Sequence, residues 1–266
     1  MATILIAGLC EDAGKTSIAC AVLSFLQRRG IAACGFKPRA GTSFWYAYEL
    51  VQEALEQGRL YGHDAAMLHR YSSPSLPVEV VNPVHRLWAE RAHDAGANGV
   101  PSFVADRVTL PDGEMLVVNA SLSGADDTVD IVRRSSGATI REEVATLEEY
   151  NQLARSYYGP AVAAAAERVM SASDCMVCES YARVALPWQD FTPDRVLVVQ
   201  PGQVTGYDGQ AYTDAVSLIQ FRETTTERVI ELLQPLATVR IPPVAGDVAS
   251  RLADLSGWQG FLEELM

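Results

Sequence analysis

Between residues 8 and 16 the chain carries glycines, a lysine and a threonine at a spacing that suits phosphate binding. An apolar run at 3–7 precedes this segment, and a helical pattern follows it. A turn between a strand and a helix directs backbone N–H groups at phosphate oxygens, and glycine allows their close approach. A lysine here brings a cation to the β- and γ-phosphates, and the adjacent threonine hydroxyl is placed to hold Mg²⁺. The predicted nucleotide-binding residues are Gly8, Glu11, Asp12, Ala13, Gly14, Lys15, Thr16 and Ser17.

The spacing of the two glycines differs by one residue from that of the common phosphate loop. Four residues usually separate them, which would place the first glycine at position 9, whereas it is Gly8 here. Glu11 and Asp12 also bring two carboxylates into the loop. Two interpretations remain open for them: one carboxylate positions a metal ion or substrate, or both only solvate the loop.

Lysine is almost absent from this chain. Its 266 residues include 19 arginines and two lysines, Lys15 and Lys37. A codon bias toward arginine explains the scarcity but not why both lysines lie near the N-terminus. Lys37 follows an apolar run at 31–36 and precedes Pro38, so we expect it at a strand end beside the phosphate loop. The alternative is an ordinary surface lysine.

The apolar pattern predicts an α/β fold. Helices and strands in alternation imply a mainly parallel sheet with right-handed crossovers. Two apolar runs around Pro111-Asp112-Gly113 predict a β-hairpin inserted at 101–121. We expect one domain over residues 1–266. The predicted strands are 3–7, 31–36, 174–178, 195–199 and 238–241. The predicted helices are 15–29, 43–55, 63–69, 84–93, 141–172 with an interruption at Gly159-Pro160, 224–233 and 248–266.

Five segments together resemble dethiobiotin synthetase and its P-loop relatives. They cover about the first 90 residues and a patch near 174–200. The resemblance implies a P-loop NTPase fold, which is a three-layer α/β sandwich with a mainly parallel sheet, and a Mg-ATP site. The segments are the offset loop, Gly35-Phe36-Lys37-Pro38, His63-Asp64-Ala65-Ala66-Met67-Leu68, Val81-Asn82-Pro83 and the apolar strand that ends at Glu179.

The same resemblance implies roles for individual residues. Lys37 matches a lysine that contacts the γ-phosphate and the substrate carbamate, so Lys15 and Lys37 are the implied catalytic residues. Thr16, Asp64 and Glu179 match the Mg²⁺ ligands, with water and phosphate oxygens completing the coordination shell. Simpler interpretations are a helix cap for Asp64 and a strand-end carboxylate for Glu179. The family reaction turns an amine into a carbamate, which attacks the γ-phosphate before a ureido ring closes.

Two segments depart from the family pattern. Glu179 is followed by Ser180-Tyr181-Ala182-Arg183, where the family has Gly-Ala-Gly-Gly, and no lysine-glycine loop is evident at 200–206. An aromatic group also follows Lys37. It could stack on a planar substrate or on bases, or its first and last members could mark a core face. This group is Phe44, Trp45, Tyr46 and Tyr48.

Composition argues against several functions. The net charge is −12, and a general binding surface for nucleic acid or anionic membranes needs clustered cations; a local basic site stays open. No apolar run approaches the roughly 18 residues of a membrane helix, and the N-terminus lacks a basic signal region. Cys175 and Cys178 form a Cys-x-x-Cys pair without a second pair, so zinc is not expected. We expect a cytoplasmic protein that acts on a small-molecule substrate and, from the family, forms a homodimer.

These observations favour an ATP-dependent ligase or phosphoryl-transfer enzyme that activates a carbamate or carboxylate. The alternative is a regulatory or scaffold ATPase, in which the nucleotide switches a loop or dimer between states. Switches of the ParA/MinD type usually carry an extra lysine early in the loop, and positions 9–13 contain none. A third possibility, nucleotide binding without catalysis, is disfavoured by Lys15 and Thr16.

Overall fold

The protein is described by a computed structural model that covers residues 2–89, 99–122, 126–219 and 224–266. It is a mixed α/β protein whose contacts divide the chain into two compact units. Unit 1 comprises Met1–Pro38, Met67–Leu76 and Val169–Met266, and unit 2 comprises Arg39–Ala66 and Pro77–Arg168. Within the described ranges, no helix is both long and apolar enough to span a membrane.

The strands and helices alternate over most of the chain. A π-helical turn, Ala154–Tyr158, interrupts the helices before Gly159. In chain order the other elements are β1 (Ala2–Gly8), α1 (Lys15–Arg28), β2 (Ala33–Phe36), β3 (Arg39–Ser43), α2 (Tyr48–Glu56), α3 (His63–Arg70), α4 (Val78–Val81), β4 (Val84–Trp88), β5 (Phe103–Leu110), β6 (Gly113–Asn119), α5 (Asp126–Ser135), β7 (Ile140–Val144), α6 (Leu147–Leu153), α7 (Gly159–Ala172), β8 (Cys175–Glu179), β9 (Arg195–Gln200), β10 (Gln203–Asp208), α8 (Gly209–Leu218), α9 (Thr226–Ile230), β11 (Ala237–Arg240), α10 (Val248–Ala253) and α11 (Ser256–Leu265).

Unit 1 is built on a six-stranded sheet in the order β11-β10-β9-β1-β8-β2. The strands β9, β1, β8 and β2 are parallel; at one edge β10 pairs antiparallel with β9, and β11 pairs antiparallel with β10. All four parallel strands are apolar and buried, as expected for a sheet covered on both faces. Their carboxyl ends therefore share one edge, where Gly8 and Glu179 lie.

Helix α1 covers this sheet and is itself covered. It packs against β1, β2 and β8 on one side and against α10 on another. Its predicted apolar face is confirmed, because Ile18, Val22 and Leu26 are all buried. The predicted C-terminal helix at 248–266 is wrong at 254–255, where α10 ends and α11 begins.

Unit 2 has a five-stranded sheet in the order β3-β4-β5-β6-β7. The hairpin expected within 101–121 is present as antiparallel β5 and β6. It is the centre of this sheet, since β4 pairs antiparallel with β5, and β7 pairs parallel with β6. The contacts divide the chain into two units. That residues 1–266 form one domain, into which the hairpin is inserted, stays a proposal.

Three predicted helices are wrong in part, because their segments contain strands of unit 2. Residues 84–88 form β4, although Val84, Leu87 and Trp88 have the i, i+3, i+4 spacing of a helix; the predicted continuation to 93 falls largely on residues outside the described ranges. Strand β7 replaces the start of the helix predicted at 141–172. It is an edge strand with four of its five residues exposed, so it shows no apolar alternation. Strand β3 includes Ser43, the start of the other predicted helix.

The aromatic segment after β3 is divided between core and surface. Phe44 is 2% exposed and packs in the unit 2 core with Val51 and Leu55. Tyr46 is 79% exposed, and Trp45 and Tyr48 are also exposed, with their rings nearly parallel. The core interpretation is thus confirmed for Phe44 and wrong for Tyr48. Stacking on a ligand stays a prediction for the three exposed rings.

Replacing Phe44 with alanine is expected to lower the free energy of unfolding by about 3 kcal/mol, because the change leaves a cavity in a packed core. Tyr46→Ala is the matched control and should change it by less than about 0.5 kcal/mol. Urea denaturation followed by circular dichroism measures both. Equal effects of the two substitutions would contradict the placement of Phe44 in the core.

His85 is fully buried in unit 2, and its tautomer follows from its neighbour. The Asn82 side-chain nitrogen donates to the Val84 carbonyl at 3.0 Å, which fixes the orientation of the amide. The amide oxygen of Asn82 lies 3.1 Å from His85 Nδ1. Because an amide oxygen can only accept, Nδ1 of His85 carries the proton. Burial, and next the positive charge of Arg107, lower the pKa of His85 to about 3, although Asp64 opposes this shift. The folded protein therefore keeps His85 neutral throughout the range in which an unfolded histidine titrates.

This burial predicts a loss of stability in acid. An unfolded histidine binds a proton below pH of about 6.5, whereas His85 in the folded protein does so only near pH 3. Between these values the unfolded state binds more protons, so the free energy of unfolding falls as the pH falls, by up to about 1.4 kcal/mol per unit. Chemical denaturation from pH 7 to 5 should show a shallower slope for His85→Gln, and an unchanged slope for the exposed His69→Gln. Equal slopes in all three proteins would refute the prediction.

Candidate functional site

The phosphate-loop segment lies where its sequence predicts, between the end of β1 at Gly8 and the start of α1 at Lys15. Gly14 is the residue before the helix, and its φ of 90° is in the left-handed region that glycine adopts without strain. The first N–H groups of a helix have no partner within the helix. At the start of α1 they suit an anion such as phosphate.

The Lys15 side chain occupies the space beside Gly8. The lysine side chain is 7% exposed and folds back along the loop, where Nζ donates to the Cys10 carbonyl at 3.2 Å. A Cβ atom at Gly8 would lie 2.8 Å from Lys15 Cδ and 2.9 Å from Nζ. Any side chain at position 8 would therefore displace the ammonium group. The absence of a side chain at Gly8 therefore leaves room for Lys15 in this position.

Glu179 contacts both the phosphate-loop residue Thr16 and Lys37. Its Oε1 accepts a hydrogen bond from Thr16 Oγ1 at 3.0 Å and forms an ion pair with Lys37 Nζ. Lys37 Nζ also lies 3.4 Å from the Ser180 carbonyl oxygen, to which it donates. Register explains the meeting, because β8 lies between β1 and β2, and Ile6 pairs with Glu179 while Phe36 pairs with Cys178.

This ion pair is buried. Lys37 and Glu179 are 3% and 1% exposed. Burial, and next the negative charge of Glu179, raise the pKa of the Cys178 thiol well above its ordinary value. Burial likewise raises the pKa of Cys175 to about 12. Both cysteines are therefore protonated core residues of β8 at neutral pH, a poor state for metal binding.

Other predicted site residues have different settings. Glu11 and Asp12 are exposed in the loop, Ala13 is buried, and Ser17 is half-buried in the first turn of α1. Asp64 is the second residue of α3 and belongs to unit 2, so its part in a metal site stays a prediction.

The donor atoms at the site fit Mg²⁺ better than a softer metal. Thr16 and Glu179 offer a hydroxyl and a carboxylate, and hard cations such as Mg²⁺ prefer oxygen ligands. In the part of the chain that the structure describes, no group of three histidine, cysteine, aspartate or glutamate side chains could hold a metal. The two oxygen donors would therefore need phosphate oxygens and water to complete an octahedral shell.

Some features of the site were not predicted from the sequence. The backbone carbonyls of Cys10 and Ser180 accept hydrogen bonds from Lys15 and Lys37, respectively. Every residue has a backbone carbonyl, so the sequence does not indicate which carbonyls will accept such bonds. A cleft of about 290 Å³ also lies beside Ser17. Residues of α3, the residue that follows α3, and residues at and just before the start of α10 line it. There the Tyr71 hydroxyl donates to the Asp247 carboxylate at 2.5–2.6 Å. These two residues are 176 positions apart, so no local pattern could show the pairing.

Comparison with known proteins supports a relationship for part of the chain. No protein-family model matches it. The chain is similar to the ATP-dependent dethiobiotin synthetase BioD of Idiomarina loihiensis. The two are 34% identical over 98 residues, which is 37% of this chain and 40% of that protein. This short and distant similarity suggests a P-loop NTPase family.

Proposed function

We propose that this protein binds Mg-ATP and uses it, as an ATP-dependent ligase or phosphoryl-transfer enzyme, to activate a carbamate or carboxylate. The observation that carries the proposal is the meeting of Lys37, Glu179 and Thr16 at the carboxyl edge of one parallel sheet, next to the phosphate-loop segment. Ligands of open α/β sheets bind at this edge. The partial similarity to an ATP-dependent dethiobiotin synthetase supports the same class of reaction.

Each residue has a role in this proposal. The N–H groups at the start of α1 bind phosphate oxygens, and Lys15 neutralises charge on the β- and γ-phosphates. Lys37 neutralises the γ-phosphate as the oxygen of the acceptor attacks its phosphorus and the bond to ADP breaks. Thr16, Glu179 and Asp64 would hold Mg²⁺, which when bound neutralises and orients the phosphates. Catalysis of this kind depends on positioning and charge neutralisation rather than on a covalent protein intermediate.

One experiment tests the proposal directly. ATP turnover is measured with the protein alone and with candidate diamines plus bicarbonate, for the wild type and for Lys37→Ala. Turnover that the substrates stimulate and that the variant loses supports the ligase. Tight ATP binding without any turnover would refute both the ligase or phosphoryl-transfer enzyme and the regulatory ATPase. Turnover that no substrate stimulates would favour the regulatory ATPase. The proposal includes that the protein acts in the cytoplasm as a homodimer. Sedimentation measures its oligomeric state.

A further inference from the structure

One face of the sheet in unit 2 presents hydrogen-bond donors where β3 and β4 lie side by side. The parallel register places Gly41 beside Arg86 and Ser43 beside Trp88. Because side chains alternate along a strand, Arg39 lies on the same face as Gly41 and Ser43. A Cβ atom at Gly41 would lie 2.5 Å from Trp88 Nε1, so the indole ring lies directly over this glycine. Gly41 is exposed and the other four residues are half-buried, so a small ligand can reach this face.

Two donors on this face lack an acceptor. In the part of the chain that the structure describes, Arg39 Nε and Ser43 Oγ are buried atoms without a hydrogen-bond partner. Arg39 also has no ion pair with any described carboxylate, although the chain contains 33 acidic residues. Buried polar groups are normally satisfied, because an unpaired donor costs free energy. The acceptor for Arg39 is therefore expected to come from outside the chain.

Tyr150 contributes a third donor. This residue lies on α6, and its hydroxyl oxygen accepts a hydrogen bond from Arg86 Nη2 at 2.8 Å. A tyrosine hydroxyl can accept and can also donate its single proton, and no described group accepts the proton of Tyr150. Burial raises the pKa of Tyr150, and the charges of Arg86 and Arg39 oppose this shift only in part. The hydroxyl therefore keeps its proton, and the effect of Arg39 requires its guanidinium group to lie near Tyr150.

Arg86 is already compensated by its own partners. It forms two hydrogen bonds with the Asp106 carboxylate, and a π-helical turn after α6 brings Tyr158 to the same carboxylate. Turns of this kind are frequent at functional sites. Three aromatic rings also surround the Arg86 guanidinium group, at 4.4–5.2 Å from their centres: Trp88, Phe103 and Tyr150. Of the two described cations on this face, Arg39 is therefore the one that can receive a ligand.

We propose that this face of unit 2 binds a small molecule through an oxyanion, either a carboxylate or a phosphate group, that Arg39 and Tyr150 hold. The planar guanidinium group offers parallel N–H donors that match either anion, and the Tyr150 hydroxyl adds a neutral donor near it. The Trp88 indole forms the wall of the site over Gly41. This inference concerns unit 2 alone and does not depend on ATP binding at the phosphate-loop segment, so it goes beyond the proposed function.

The indole N–H signal of Trp88 in a ¹H–¹⁵N NMR spectrum tests the inference. The chain has four tryptophans, and the spectrum of Trp88→Phe identifies the Trp88 signal. The wild-type protein is titrated with inorganic phosphate and, separately, with acetate, at constant pH and ionic strength. We expect a saturable shift of the Trp88 signal, and no shift for Trp258, which is buried in unit 1. Saturation by phosphate alone would identify a phosphate group as the ligand, and saturation by acetate alone a carboxylate. A Trp88 signal that neither anion saturates would overturn the inference.

Two variants remove the proposed donors one at a time. Arg39→Met and Tyr150→Phe should each weaken the affinity for the anion by at least about 10-fold, since hydrogen bonds to charged groups are stronger than neutral ones. Arg141→Met is the matched control for charge, because Arg141 is exposed on β7, at the opposite edge of the same sheet. Tyr157→Phe is the control for the hydroxyl, because Tyr157 is exposed. Both controls should bind like the wild type. An unchanged affinity in Arg39→Met would overturn the inference, and if that variant does not fold, Tyr150→Phe decides by the same criterion.

Discussion

Lys15→Ala is expected to reduce ATP turnover by about 10³-fold, because in the proposed function Lys15 is the cation that neutralises the β- and γ-phosphates. Loss of one preorganised donor in a catalytic site commonly costs 10²–10³-fold, and a charged donor belongs at the upper end. The folded structure should tolerate the change, which removes the hydrogen bond from Nζ to the Cys10 carbonyl. Such a bond contributes about 1 kcal/mol to stability. Steady-state turnover and urea denaturation together measure the two effects.

Lys15→Arg tests whether positive charge alone is sufficient. The lysine Nζ would lie 2.9 Å from a Cβ atom at position 8, so the space beside Gly8 is narrow. The planar guanidinium group is broader than an ammonium group, and we expect Lys15→Arg to be nearly as inactive as Lys15→Ala. Arg29→Ala is the control, because Arg29 is an exposed cation that pairs with Glu263. Normal turnover in Lys15→Ala would show that the phosphates bind elsewhere.

The sheet of unit 1 was largely predictable from the sequence. Strands β1, β8 and β9 are short apolar runs between polar or glycine signals, and a buried parallel strand needs little else. The phosphate-loop segment and Lys37 could be placed at strand ends for the same reason. The sequence could not predict that the same oxygen of Glu179 accepts a hydrogen bond from Thr16 and forms the ion pair with Lys37. That contact depends on the order and register of strands separated by more than 130 residues.

Unit 2 was less predictable because its strands are not marked by apolar residues. Strand β3 has the sequence Arg-Ala-Gly-Thr-Ser, and β7 is an exposed edge. In β4, His85 and Arg86 occupy positions where a buried strand would usually have apolar side chains. Their partners come from other segments, as Asp106 does for Arg86. A polar residue that is satisfied by a distant partner gives no local sign that it is buried.

The Arg86–Asp106 pair gives the largest predicted effect on stability. Arg86 binds Asp106 through two hydrogen bonds of 2.7 and 2.6 Å, and the Tyr158 hydroxyl donates to the same carboxylate at 2.6 Å. Burial, and next the negative charge of Asp106, raise the pKa of Tyr158 far above its ordinary value, so this tyrosine remains a donor. Asp106→Ala should lower the free energy of unfolding by about 3–5 kcal/mol, because it leaves the buried guanidinium group without its counter-charge.

The double variant Arg86→Met/Asp106→Leu distinguishes loss of the pair from loss of packing. Apolar residues of similar volume often replace a buried ion pair at little or no cost, so the double variant should be more stable than Asp106→Ala. Glu143→Ala is the control, because its pair with Arg133 is largely exposed and should contribute at most about 1 kcal/mol. Urea denaturation measures all three variants. A double variant as unstable as Asp106→Ala would mean that unit 2 depends on the shape of these side chains rather than on the balance of their charges.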